Sequence, residues 1–150
     1  MTPQTGKTVD ILLVEDNPGD VEIIREALTE WKVRNHLSVT IDGADALRFL
    51  RQQPPHDHSP RPDLVLLDLN LPKKSGREVL AEVKSDDNLK IIPVIVLTSS
   101  SSEEDIAKSY ELHANSYIKK PLSFDQLLVA IKAIEEFWFT IANLPPKLDQ

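Results

Sequence analysis

Acidic, hydroxyl and ammonium side chains stand at the ends of four separate apolar runs in this 150-residue chain. Glu15 and Asp16 follow Ile11 to Val14, Asp68 follows Leu64 to Leu67, Thr98 follows Val94 to Leu97, and Lys120 closes a shorter run around Tyr117 and Ile118. Three carboxylates gathered in one place repel one another unless a cation lies among them. A donor set of oxygens, without sulfur or imidazole, suits a hard ion such as Mg²⁺. Beside such an ion a carboxylate can attack phosphorus and form an aspartyl phosphate. Asp68 is the candidate nucleophile, Thr98 would donate its hydroxyl to one phosphoryl oxygen, and Lys120 would pair with another.

That chemistry needs four distant positions brought to one place, and the pattern of elements supplies a way. The three runs of four apolar residues are bounded by polar or turn residues, as in strands buried on both faces of a parallel sheet. Val39 and Ile41 alternate with polar neighbours, and Tyr117 and Ile118 form a short run, so these read as weaker strands nearer the edges. Between the strands lie helical patterns. Asn17 and Pro18 form an N-cap and first-turn pair ahead of Val21, Ile24, Ala27 and Leu28, and Ala44, Leu47 and Leu50 mark a second helix. A third spans about Gly76 to Lys84 with Val79, Leu80 and Val83 inward. Ser102 with Asp105 and Ser123 with Gln126 have capping-box spacing for a fourth and a fifth.

Five strand-helix units with right-handed crossovers predict an α/β fold: a flavodoxin-like doubly wound five-stranded parallel sheet of order 2-1-3-4-5, with helices on both faces. Its switch point lies between strands 1 and 3, which end at Glu15/Asp16 and at Asp68. Gln53 to Pro62, rich in Pro and His and without periodicity, reads as an extended surface loop, and His56-Asp57-His58 within it as solvated surface. Lys73 and Lys74 read as exposed charge near the pocket rim.

Composition narrows the function classes. With 41% hydrophobic and 27% charged residues the chain is one globular domain, and a net charge of −7 argues against nucleic-acid binding. No cysteine is present, so disulfides and thiol chemistry are excluded. Residues 1–8 are polar and no apolar run approaches bilayer length, which predicts a cytoplasmic protein without membrane contact.

Singly, each of these residues has an ordinary reading: acidic residues favour the positive end of a helix dipole, and strand ends are often polar. Together they match a known pattern. Leu13-Val14-Glu15-Asp16-Asn17, Leu67-Asp68-Leu69-Asn70-Leu71-Pro72 followed by Gly76, Thr98-Ser99 and Lys120-Pro121 resemble the receiver domain of two-component response regulators. Thr98 and Lys120 lie 30 and 52 positions beyond Asp68, with Tyr117 three residues before the lysine. The resemblance implies a phosphoacceptor that takes a phosphoryl group on Asp68 from a sensor histidine kinase, without enzymatic turnover beyond Mg²⁺-assisted self-phosphorylation and self-dephosphorylation. It further implies Mg²⁺ held by Glu15, Asp16, Asp68 and the backbone carbonyl of Asn70. Thr98, Ser99 and Lys120 would contact the phosphoryl group, and Tyr117 would swing inward behind Thr98. The face formed by the fourth helix, fifth strand and fifth helix would then change. Glu15 stands where Asp is more usual in the family, and the Gln53 to Pro62 loop is longer than typical.

Leu69 to Leu80, that loop, and the ending Ile134 to Pro146 are similar to single-domain response regulators serving phytochrome kinases, which implies a homodimer and no fused output domain. Phe137, Trp138 and Phe139 are consecutive, so on a helix they point about 100° apart and cannot all face one core. With Ile141 and Leu144 they are the candidate dimer contacts. The expected organisation is a flexible N-terminus at 1–8, a receiver domain at 9–139, and a C-terminal extension at 140–150 in the dimer contact. The alternative is a Mg²⁺-dependent phosphatase of the dehalogenase type. It needs a second acid two residues after the nucleophile, where this chain has Asn70.

Overall fold

Apolar side chains on both faces of a strand require a layer of helices above and another below, and the computed structural model has that arrangement. It describes residues 8–69, 71–98, 116–119 and 124–136. The strands are β1 (Val9–Val14), β2 (Asn35–Thr40), β3 (Leu64–Asp68), β4 (Val94–Thr98) and β5 (Ser116–Lys119). All pair in parallel, in the order β2-β1-β3-β4-β5. The described helices are α1 (Pro18–Leu28), α2 (Gly43–Leu50), α3 (Gly76–Ser85) and α4 (Phe124–Glu136). The predicted doubly wound sheet and its strand order are thus observed. The helix expected to open at Ser102 and the Ser123 cap lie outside the described residues, and α4 is the helix expected fifth.

Two cores follow from the alternation of side chains along the strands. Leu12, Val14, Val65, Leu67, Val94 and Val96 face α2 and α3, while Ile11, Leu13, Leu64, Leu66, Ile95 and Leu97 face α1 and α4. Each is buried, so a polar substitution at any of them would strand an unpaired group inside. Trp31, in the turn after α1, closes the second core and donates its indole N–H to the Ile131 carbonyl at 3.0 Å.

The helices begin where side chains can satisfy their first N–H groups. Asn17 Oδ1 accepts from Gly19 and Asp20, and Asp42 Oδ1 accepts from Asp45 at 2.7 Å. Ser75 and Glu78 form a reciprocal capping box at α3. In α2 the inward face is Ala46, Leu47, Phe49 and Leu50, with Ala44 only half-buried, so the inward stripe runs through Ala46 and Phe49 as well. β2 ends at Thr40, and Ile41, expected within it, lies past the strand at 61% exposure.

The proline-rich loop lies at the surface as expected, with Gln53, Pro54, Pro55, Asp57 and His58 exposed, but it is tied to α2 through His56 and Ser59. His56 Nε2 lies 2.9 Å from Asp45 Oδ1 and its ring packs on Phe49. Ser59 Oγ donates to the Phe49 carbonyl, and Gln52 donates to the Ser59 carbonyl. His56 is therefore half-buried and hydrogen-bonded, while His58 is exposed.

Two glycines allow close backbone approaches under the site. A Cβ at Gly76 would lie 2.2 Å from the Asp68 carbonyl oxygen, and one at Gly43 would lie 2.0 Å from the Lys74 carbonyl oxygen. Neither obstacle is a flexible side chain, so the backbone itself must move. Gly76→Ala is expected to cost roughly 1–3 kcal/mol, as overpacked sites do. Chemical denaturation checks this, and an unchanged midpoint would contradict the close approach.

Lys84, near the end of α3, donates to the carbonyls of Lys90 and Ile92 at 2.9 and 2.7 Å and so holds the segment that leads into β4. Burial pulls its pKa down from 10.5 to about 8. A lysine lowered in this way binds fewer protons folded than unfolded above pH 8, so its contribution improves as pH rises from about 8 toward 10.5. Below that window both states are protonated and the cost of burying the charge is complete. The stability of the wild type relative to Lys84→Met should therefore increase between pH 8 and 10, and a gap independent of pH would show that the ammonium is not buried at a cost.

Candidate functional site

The C-terminal edge of the sheet collects the predicted residues because every parallel strand ends there. β1 passes directly into Glu15 and Asp16, and β3 ends on Asp68. β1 and β3 are adjacent, with Val14 opposite Leu67, so the acidic pair and Asp68 leave the sheet side by side. One carboxylate oxygen from each of Glu15, Asp16 and Asp68 lies within 4.8 Å of the others.

Burial makes this arrangement unusual. Glu15 is 0% exposed and Asp68 4%, while Asp16 is open to solvent. Ionised carboxylates at such a separation repel one another. The backbone holds them there. Glu15 donates its N–H to the Thr40 carbonyl at 3.0 Å, extending the β1–β2 ladder past the strand. Its Oε2 accepts from the Asn17 N–H at 3.2 Å, where α1 begins. Leu69 donates to the Leu97 carbonyl at 3.1 Å and Gly76 donates to the Leu69 carbonyl at 3.0 Å, which fixes the chain on either side of the turn after Asp68. The donor set is all oxygen, two groups deep and one at the surface, and it fits a hard divalent cation that keeps some of its water.

Thr98 is the last residue of β4, opposite Lys119 of β5, so its backbone lies at this same edge. Lys120, Ser99 and Asn70 lie outside the described residues. Tyr117 is in β5, opposite Val96. The candidate dimer residues Phe137, Trp138, Phe139, Ile141 and Leu144 also lie outside.

Of the two lysines read as exposed charge near the rim, Lys73 is exposed as expected and Lys74 is half-buried. Lys74 pairs with Glu82, which also takes Arg51 at 3.2 Å, so α2 and α3 are bridged. The Lys74 hydrogen bond, with Arg51 assisting, holds the Glu82 carboxyl below its ordinary range. Lys73 is 72% exposed, adopts φ of 66°, and points its ammonium to Asp42 at 3.7 Å. The role of Asp42 as α2 cap was readable from Asp42-Gly43 ahead of an apolar helix, whereas its contact with Lys73 was not. The N–H of Asn17 that holds Glu15 had no signal in the side chains, because backbone donors carry none.

Comparison with known proteins identifies the family. Residues 11–132 match the response regulator receiver domain. Response regulator Rcp1 of Synechocystis sp. is 46% identical over 145 residues, covering 97% of this chain and 99% of the relative. The crystal structure of the phosphorylated cyanobacterial phytochrome response regulator RcpA has a TM-score of 0.88 at 51% identity, covering 93% of this chain and all of that one. The Mn²⁺-bound form of Rcp1 has a TM-score of 0.86 at 47% identity, covering 92% and 99%. Among the described residues no helix is long and apolar enough to cross a membrane. A parallel sheet of this order, three carboxylates meeting at its edge and relatives matched over almost their whole length make this chain a member of the response regulator receiver domain family, similar to phytochrome response regulators.

Proposed function

We propose that Asp68 accepts a phosphoryl group from a phosphohistidine of a phytochrome sensor kinase, with Mg²⁺ held by Glu15, Asp16, Asp68 and the Asn70 carbonyl. The observation that carries this reading is the meeting of the three carboxylates at the end of β1 and β3. The relatives described as phosphorylated RcpA and as Mn²⁺-bound Rcp1 support it. A bound divalent ion supplies charge neutralisation for a phosphoryl group approaching an anionic site.

The residues of the chain do the rest. An Asp68 oxygen attacks phosphorus and the P–O bond forms as the P–N bond breaks; the departing ring nitrogen keeps that electron pair, and the kinase imidazole leaves neutral because its other nitrogen carries a proton. Asp68 is suited to attack because β3 and the Leu69 hydrogen bonds hold its backbone still, so little orientation has to be found at the moment of transfer. The Lys120 ammonium pairs with one phosphoryl oxygen, and the hydroxyls of Thr98 and Ser99 serve others. As Thr98 moves toward the phosphoryl group, Tyr117 turns inward, and the face that includes β5 and α4 changes for a downstream partner. The protein acts in the cytoplasm as a homodimer joined through Phe137, Trp138, Phe139, Ile141 and Leu144, with residues 9–139 as the receiver, 1–8 flexible, and 140–150 in the dimer contact.

Two measurements test this. In the presence of Mg²⁺ and acetyl phosphate, intact-mass spectrometry should find one phosphoryl adduct on the wild type and none on Asp68→Ala; an undiminished adduct on the variant would end the assignment. Relief of repulsion gives a second expectation, of opposite sign with and without metal. Asp16→Asn should melt higher than wild type in chelator, yet lose the rise of about 5–10 °C that Mg²⁺ at a hundred times its Kd gives the wild type. Equal Mg²⁺ responses in the two proteins would remove Asp16 from the metal site.

A further inference from the structure

Two non-glycine residues among those described have positive φ, Gln52 at 54° and Lys73 at 66°. Gln52 directly follows Arg51, the C-cap of α2, where a left-handed residue commonly ends a helix. No helix ends at Lys73. It is the central residue of a turn of the γ type, closed by the Lys74 N–H on the Pro72 carbonyl at 2.8 Å, in the segment that follows Asp68. A glycine would take this backbone without strain and a lysine takes it at a cost, so the side chain is the reason to look for.

The position of its charge supplies that reason. β2 and β3 flank β1 in the sheet. Lys73 belongs to the turn after β3, yet its ammonium lies 3.7 Å from Oδ2 of Asp42, in the turn after β2. The loop and its side chain thus reach from one side of the β1 end to the other, across about 10 Å if two strand spacings set the span, and Glu15 and Asp16 leave the sheet between them. Asp42 is a fixed post, because its side chain is 11% exposed and its Oδ1 accepts from the Asp45 N–H. The ammonium above it is 72% exposed. Lys74 carries the same charge but is paired with Glu82.

A phosphoryl donor is an anion, and here it approaches a chain of net charge −7 at an edge that carries three carboxylates. The field of the chain opposes its arrival. We propose that Lys73, held over the rim by Asp42, is an electrostatic guide for the phosphoryl donor, drawing the anionic group to the acidic edge and taking no part in the bond-making step. This rests on the reading of Asp68 as the phosphoacceptor. A guide of this kind acts through charge alone, so its effect should scale with the charge of the donor and weaken in salt.

Second-order rate constants for adduct formation in Mg²⁺, followed by intact-mass spectrometry, test this with doubly charged acetyl phosphate and singly charged phosphoramidate. At low ionic strength Lys73→Gln should react with acetyl phosphate about threefold more slowly than wild type, as expected for one charge acting on a dianion over roughly 10 Å of water. The loss should be smaller with phosphoramidate and should fade at high salt, and Lys73→Arg should keep the wild-type rate. Lys73→Gly should be as slow as the Gln variant yet at least as resistant to denaturant as the wild type, since it removes the backbone strain. A Lys73→Gln variant as fast as wild type at low ionic strength overturns the proposal. So does a loss that is equal for the two donors and indifferent to salt, which would mean a displaced backbone, and so does a Lys73→Gly protein that unfolds more readily. A wild type phosphorylated by neither donor would instead defeat the phosphoacceptor reading, and the guide with it.

Discussion

Glu15 and Asp68 are carboxylates withdrawn from water and placed where their charges oppose each other, with Asp16 at the mouth. In a relaxed chain they would move apart. Here they cannot, because the ends of β1 and β3 are neighbours in the sheet and the turns beyond them are closed by backbone hydrogen bonds. The free energy of burying the two apolar cores holds the acidic edge together, and a cation among the three carboxylates would relieve their repulsion.

The surrounding loops show what it takes to keep that edge in register. Gly76 lets α3 start directly beneath the Asp68 carbonyl, and Gly43 lets α2 start against the Lys74 carbonyl. Asp42 caps α2 and receives Lys73, while Lys74 and Arg51 meet on Glu82. The turn after Asp68 is thereby connected to both helices of one face. On the other face, Trp31 and the Val33 N–H engage Ile131 and Glu135 of α4, so that the segment after α1 and the last turn of α4 form one packed unit. Motion at Asp68 therefore has packed neighbours on both sides of the sheet.

Much of this was legible in the sequence, for a physical reason. A strand buried on both faces has to be apolar at consecutive positions, so Ile11 to Val14, Leu64 to Leu67 and Val94 to Leu97 announce themselves, and parallel pairing then dictates where the residues after them meet. Edge strands carry a weaker signal, and β2 was placed one residue too far, onto the exposed Ile41. The short helix α2 had too few turns for its stripe to be unambiguous, so Ala46 and Phe49 were missed and Ala44 was read as inward. His56 was read as solvated because its contact with Asp45 joins residues eleven positions apart and leaves no periodic trace. The hold of Asn17 on Glu15 is a backbone donor and had no side-chain signature.

Crystals grown with Mn²⁺ would show whether a divalent ion binds among Glu15, Asp16 and Asp68. An anomalous difference map at the manganese edge should place one strong peak in contact with these three side chains. A map with no peak there, from crystals whose Mn²⁺ binds elsewhere or not at all, would contradict the account.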